Sequence, residues 1–263
     1  MAFALSVTKL VEAMQLPGCP VCRRAWQASN ETMEIFLWEN VNDPQTRGNI
    51  NAAYGFCDYH TRLLVSRELS NSGTVLGVNI IYELLGRIVS EDLKKASLRS
   101  KVSGFLGGWF NKEARRSTKI LPARDLCPAC KLTRQAVMNT LFTLIESLQK
   151  GVTDVKNAYL DSDRLCFDHL RWGLSQYGAS HARASRFLID DAVQRLGALS
   201  AEMRGYIRKS NWEYRDEKMT PQENDAWQKM LVFFTGYPAS VFTFKVPQFD
   251  QGEYHSHSDE MSS

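Results

Sequence analysis

Two short cysteine turns, CPVC at 19–22 and CPAC at 127–130, constrain this chain more than anything else in it. Each is followed by a CxxH pair: Cys57 and His60 after the first, Cys166 and His169 after the second. The spacers hold 34 and 35 residues, so the two sets superpose with an offset of 108 to 109. All six cysteines are used in this way. An internal duplication of roughly a hundred residues is therefore the organising feature, and a repeat is sought before any other fold argument. Around the ligands the agreement is thinner: Arg23 matches Lys131 and Phe56 matches Leu165, but Tyr59 is replaced by Asp168.

Three thiolates and one imidazole make a common closed tetrahedral zinc site. In CPxC the sulfurs flank a tight turn whose proline fixes one backbone angle. In CxxH, a helix begun at the cysteine brings the histidine, three residues on, to the same side. Read copy by copy, Cys19, Cys22, Cys57 and His60 form one site and Cys127, Cys130, Cys166 and His169 the other, giving two zinc ions per chain. Each would act as a staple worth on the order of 10 kcal/mol. The spacing leaves open whether ligands are exchanged between copies or between chains. An iron–sulfur cluster can use the same donors. A thioredoxin-like reading needs a parallel sheet that this sequence does not offer, and it leaves both CxxH pairs unexplained. A catalytic zinc keeps one position open for water, whereas each set here already has four ligands. No phosphate-cradling glycine loop, Ser/His/Asp arrangement or helix-turn-helix signature stands out.

Helical signals dominate. Trp26, Met33, Phe36 and Leu37 recur at helical spacing after Cys22, and Asp43-Pro44 reads as a cap with proline at the first helical position, opening a short helix to about Tyr54. Val75, Val78, Ile81, Leu85 and Ile88 form one stripe of a long helix. In the second copy a helix runs from CPAC to Gly151, another from His181 carries Leu188, Ala192, Leu196 and Leu199 inward, and Thr220 to Glu223 is a capping box. The fold class is all-α, with two duplicated helical modules: residues 1–100, a basic linker at 101–125, a second module at 126–236 and a flexible tail at 237–263. The 44% hydrophobic content suffices for a core in each, and the net charge of +3 neither demands nor excludes a nucleic-acid partner. The first residues lack the pattern of a secretory signal and no apolar run approaches the roughly 20 residues of a membrane span, so a cytoplasmic location with reduced thiols is the expectation.

Lys94, Lys95, Arg99, Lys101, Lys112, Arg115, Arg116, Lys119 and Arg124 face a single acid, Glu113, over 31 residues. A solvated linker is the plain reading, since Gly104-Phe-Leu-Gly-Gly interrupts a helix; contact with anionic lipid or nucleic-acid phosphate, helped by Phe105, Trp109 and Phe110, is the functional one. His181 reads as an exposed or capping residue and not a fifth ligand, and His255 and His257 as tail residues. Asp190 and Asp191, with Glu202, read as a solvated face. Trp26, Trp38, Trp172 and Trp227 read as core.

The strings CPVCR, ENVNDPQTR, GFCDYH, LGVNIIYELL, LCPACK, LCFDHL and NWEYRDEKMTPQENDAWQKMLVFFTG resemble a family of helical bacterial proteins catalogued as domain of unknown function 6062. The likeness covers most of residues 17 to 236. It implies the same fold and the same eight ligands and supplies no activity. The second copy departs from the first in having Arg164-Leu165 where the first has Gly55-Phe56, and in lacking an Asn-Asp-Pro turn. Together these features describe a zinc-stapled interaction or scaffold protein with an unknown protein partner, not an enzyme. A zinc-thiolate redox or metal sensor and a thiol–disulfide oxidoreductase are the alternatives.

Overall fold

The computed structural model describes residues 2–40, 42–106, 125–214 and 216–237. Among these residues every regular element is helical. The order is α1 (Ala2–Met14), α2 (Pro20–Ile35) continued by a π-turn over Phe36–Asn40, α3 (Pro44–Ala52), α4 (Asp58–Ser72), α5 (Leu76–Leu106), α6 (Pro128–Lys150), α7 (Thr153–Asp161), α8 (Phe167–Tyr177), α9 (Ala182–Lys209), a 3₁₀ turn over Trp212–Tyr214, and α10 (Pro221–Thr235). Helices α1 and α7 were not anticipated from the sequence.

Local chemistry sets the ends of these helices. Asp43 caps α3, its carboxylate accepting the Thr46 N–H at 2.7 Å ahead of Pro44. Thr220 and Glu223 close the capping box of α10, and Gly151 and Gly236 take the left-handed conformation after α6 and α10. One cap escaped the sequence reading. The buried Glu68 of α4 accepts the backbone N–H groups of Gly77 and Val78, the latter at 3.0 Å, and so satisfies the first turn of α5.

The chain divides into two compact units, and they are not the consecutive copies. Unit 1 combines Met1–Cys22 with Leu141–Ser263, and unit 2 is the continuous stretch Arg23–Thr140. In unit 1, α1 packs on α7, and α8 and α9 pack on α10. The buried residues here include Leu10, Leu144, Ile145, Val155, Tyr159, Leu188 and Phe233. In unit 2, α3 and α4 pack on α5 around Met33, Phe36, Ile50, Phe56, Leu64, Ile81 and Leu85.

Several expectations change on the structure. Helix α5 runs to Leu106, past the expected linker start at 101, so Arg99 and Lys101 are helical; Lys94 and Lys95 are exposed on the same helix, and Lys95 pairs with Asp92. Lys112, Arg115, Arg116, Lys119 and Arg124 lie outside the described residues, as do Trp109, Phe110 and the tail histidines. Trp26, Trp38 and Trp227 are 50%, 75% and 40% exposed and are not core, while Trp172 is half-buried. Helical spacing identifies a stripe, but the inward face of α2 is the one carrying Ser29, Met33 and Phe36. Asp190 is exposed as expected, but Asp191 is not solvated: it pairs with Arg164 at 3.1 Å, and burial pushes its carboxyl up against the pull of Arg164 and Arg195. Of the stripe on α9, Leu196 is only half-buried.

Candidate metal centres

All eight expected cysteine and histidine ligands fall into two clusters, but the partition is crossed. Cys19 and Cys22 of the first copy meet Cys166 and His169 of the second; Cys57 and His60 of the first meet Cys127 and Cys130 of the second. This corrects the copy-by-copy pairing. Each cluster lies wholly inside one unit, the first in unit 1 and the second in unit 2.

Backbone ties explain which jaws close. In unit 1 the Cys19 N–H donates to the Gly236 carbonyl at 3.0 Å, and the Gly18 N–H donates to the Asp163 carboxylate at 2.6 Å. Asp163 in turn lies three residues before Cys166, and its carbonyl, with that of Leu165, accepts from the Arg195 guanidinium at 2.7 and 3.1 Å. The loop that delivers Cys166 is thus pinned from α9 and joined to the N-terminal turn. In unit 2 the Asp125 N–H donates to the Ala52 carbonyl at 3.1 Å, which sets CPAC beside the start of α4. The copies keep one backbone feature despite their different sequences: Gly55 and Arg164, each two residues before the CxxH cysteine, both have positive φ, at 94° and 62°. Arg164 meets the cost of a left-handed non-glycine residue, roughly 1–2 kcal/mol, with its N–H on Ser162 Oγ, its guanidinium on the Leu160 carbonyl and its pairing with Asp191.

The ligand atoms of each cluster all lie within 4.8 Å of one another. In the first, Cys22 and Cys166 Sγ are 3.9 Å apart, and His169 Nδ1 lies 3.6, 3.4 and 3.2 Å from the sulfurs of Cys19, Cys22 and Cys166. In the second, Cys57 and Cys130 Sγ are 3.6 Å apart, and His60 Nδ1 lies 3.2, 3.8 and 3.4 Å from those of Cys57, Cys127 and Cys130. Zinc–sulfur and zinc–nitrogen bonds of ordinary length give tetrahedron edges of about 3.8 Å between sulfurs and roughly 3.6 Å between sulfur and nitrogen. Both clusters have the dimensions of a tetrahedral Cys3His cage.

Charge leads to the same conclusion. Cys22 is pushed up by its hydrogen bonds with Cys166 and Cys19 and by burial, while hydrogen bonds with Cys19 and Cys22 pull Cys166 down. Burial opposes a charge on His169, but Cys166 and Cys19 hold its proton and raise it to about 10. Burial, Cys57 and the charge of Cys127 push Cys130 up to about 12. Three sulfurs packed together cannot all ionise against one another, and a divalent cation among them removes that conflict.

The surroundings fit the histidines for the same task. His60 is buried, and its Nε2 lies 3.3 Å from Ser29 Oγ, which also meets Thr133 Oγ1 at 2.9 Å and donates to the Ala25 carbonyl. A proton on Nε2 given to Ser29 leaves the Nδ1 lone pair facing the three sulfurs, the outer-shell arrangement of metal-bound histidines. Ser29 and Thr133 carried no signal in the sequence beyond the placing of Thr133 one helical turn after Cys130. His169 stacks on Trp172, ring centroids 6.5 Å apart. His181 belongs to neither cluster. Although it sits at the N-cap position of α9, its side chain does not cap; it is half-buried, with Nε2 2.9 Å from Glu146 Oε2.

Gly236 also presses on the first cluster. Its φ is 75°, and a Cβ there would overlap Cys22 Sγ and stand 3.2 Å from Cys166 Sγ. Gly236→Ala is therefore expected to strip the metal from the first cluster under mild chelator competition and to spare the second, so that metal per chain falls by half. An equal metal content in this variant and the parent would show that α10 does not close the cage.

The family of unknown function DUF6062 matches residues 2–240. The chain belongs to this family. No curated protein and no solved structure matches it. In this DUF6062 chain the two Cys3His clusters gather six cysteines and two histidines. Among its described residues no helix is long and apolar enough to cross a membrane.

Proposed function

We propose that each cluster holds one zinc ion as a closed structural centre and that the protein is a non-enzymatic, cytoplasmic interaction or scaffold module. The observation that carries this reading is the set of four donors in each cluster, spaced as tetrahedron edges, with Cys19, Cys166, His60 and Cys127 buried. Four protein donors leave no position for water or substrate, which is the mark of a structural site. Thiolate and imidazole donors in tetrahedral array suit zinc. The test is the metal content of the native protein by elemental mass spectrometry, with free thiols counted before and after chelation. Two zinc ions per chain, and six thiols released only on chelation and unfolding, are expected for the two clusters. Iron with acid-labile sulfide, or thiols that react at once in a stable metal-free fold, would refute the reading.

One observation favours a second reading of the same centres. Cys22, Cys57 and Cys130 are only partly buried, and Cys57 and Cys130 Sγ stand 3.6 Å apart. A peroxide that accepts two electrons from this pair would form a disulfide and two waters and release the metal, making the second centre a redox sensor. Zinc release in proportion to added hydrogen peroxide, reversed by a thiol reductant, is its signature.

A further inference from the structure

Next to the second cluster, unit 2 carries a groove of about 360 Å³. This size lies within the range of small-molecule sites, which are mostly apolar with a few polar groups. Its floor is Phe36, Ile50, Phe56 and Ala129, all buried, so the groove opens directly onto the core of the unit. Ile35 and Leu132 stand at its sides, 50% and 56% exposed. Among the described residues only one charged side chain lines it. Lys131 is exposed, and among the described residues no ion pair engages it.

We propose that this groove binds an amphipathic monocarboxylate, its aliphatic or aromatic body on Phe36, Ile50 and Phe56 and its carboxylate at Lys131 Nζ. The apolar walls select an apolar body, because covering Ile35 and Leu132, 50% and 56% exposed, removes hydrocarbon surface from water. The charge selects the head group. A cation is repelled by Lys131, a neutral apolar ligand partly dehydrates the ammonium without pairing it, and the second charge of a dianion finds no partner. The proposal goes beyond the reading of the metal centres and does not depend on which metal they hold.

The test is calorimetric titration of the full metal-loaded chain with sodium decanoate, set beside the neutral decanamide. Saturable binding of one decanoate per chain is expected, with decanamide weaker. Lys131→Glu is expected to weaken decanoate at least about fivefold and to leave decanamide unchanged, and Ile35→Glu to abolish binding of both. Both replaced side chains are at the surface, and the metal content of each variant, measured in parallel, separates a damaged centre from a lost ligand site. No saturable binding, decanamide binding as tightly as decanoate, an affinity untouched by either variant, or occupation by an apolar peptide in place of decanoate would each overturn the proposal.

Discussion

Changing Cys19 and Cys166 together to serine removes one metal ion per chain and leaves the other, whereas changing Cys19 and Cys57 together removes both. The contrast follows from the crossed partition, in which Cys19 shares a cage with Cys166 and Cys57 belongs to the other. Copy-by-copy pairing predicts the reverse for the two double variants, so elemental analysis of both decides between them. The effect on stability is large. Each metal ion, bound as proposed, is expected to contribute on the order of 10 kcal/mol of apparent binding energy that exists only when its unit is folded. The Cys19/Cys166 variant is expected to lose the thermal transition of unit 1 and to keep that of unit 2, because each cage closes within one unit. A Cys19/Cys57 variant that still carries one metal ion would sink the assignment.

Stripping both metals with a strong chelator is expected to abolish cooperative unfolding and most of the far-ultraviolet helical signal. Domains of this size are stable by only about 5–15 kcal/mol, so the loss of one centre consumes most of a unit's stability. Loop length does not decide between the centres. The first joins residues 144 apart and the second residues 73 apart, and that twofold difference changes the closure cost by only about 0.6 kcal/mol. The metal bonds outweigh it by an order of magnitude, and both centres are expected to fill. Unfolding that is unchanged by chelation would mean that the hydrophobic cores alone hold the units and that the clusters have another role.

Much of the helical plan was legible because its signals are local. The Asp43-Pro44 cap, the Thr220 capping box, and the glycines at 151 and 236 announce their helix ends over a few residues. Burial of aromatic residues was not legible in this way. Trp26 lies at helical spacing with Met33 and Phe36, yet only the latter two face the core. Periodicity shows that a face exists; the partner helix decides which face is covered. His181 and Asp191 were misjudged for a related reason, since Glu146 and Arg164, their partners, lie 35 and 27 residues away.

The sequence by itself determined an all-helical chain, the duplication, and the identity of the eight cysteine and histidine side chains that form the two clusters, because donor chemistry and capping depend on residue type and short spacing. Only the tertiary structure decided how those eight are shared. Sequence distance favours the other pairing, since each CPxC lies 35 or 36 residues from its own copy's CxxH and 144 or 73 from the one it meets. Loop closure penalises the longer connections by only about 1 kcal/mol, so spacing does not fix the choice. The choice is made by long-range ties: Gly18 to Asp163, Cys19 to Gly236, and Asp125 to Ala52. These set the first turn against the second copy's CxxH in unit 1 and the second turn against the first copy's in unit 2.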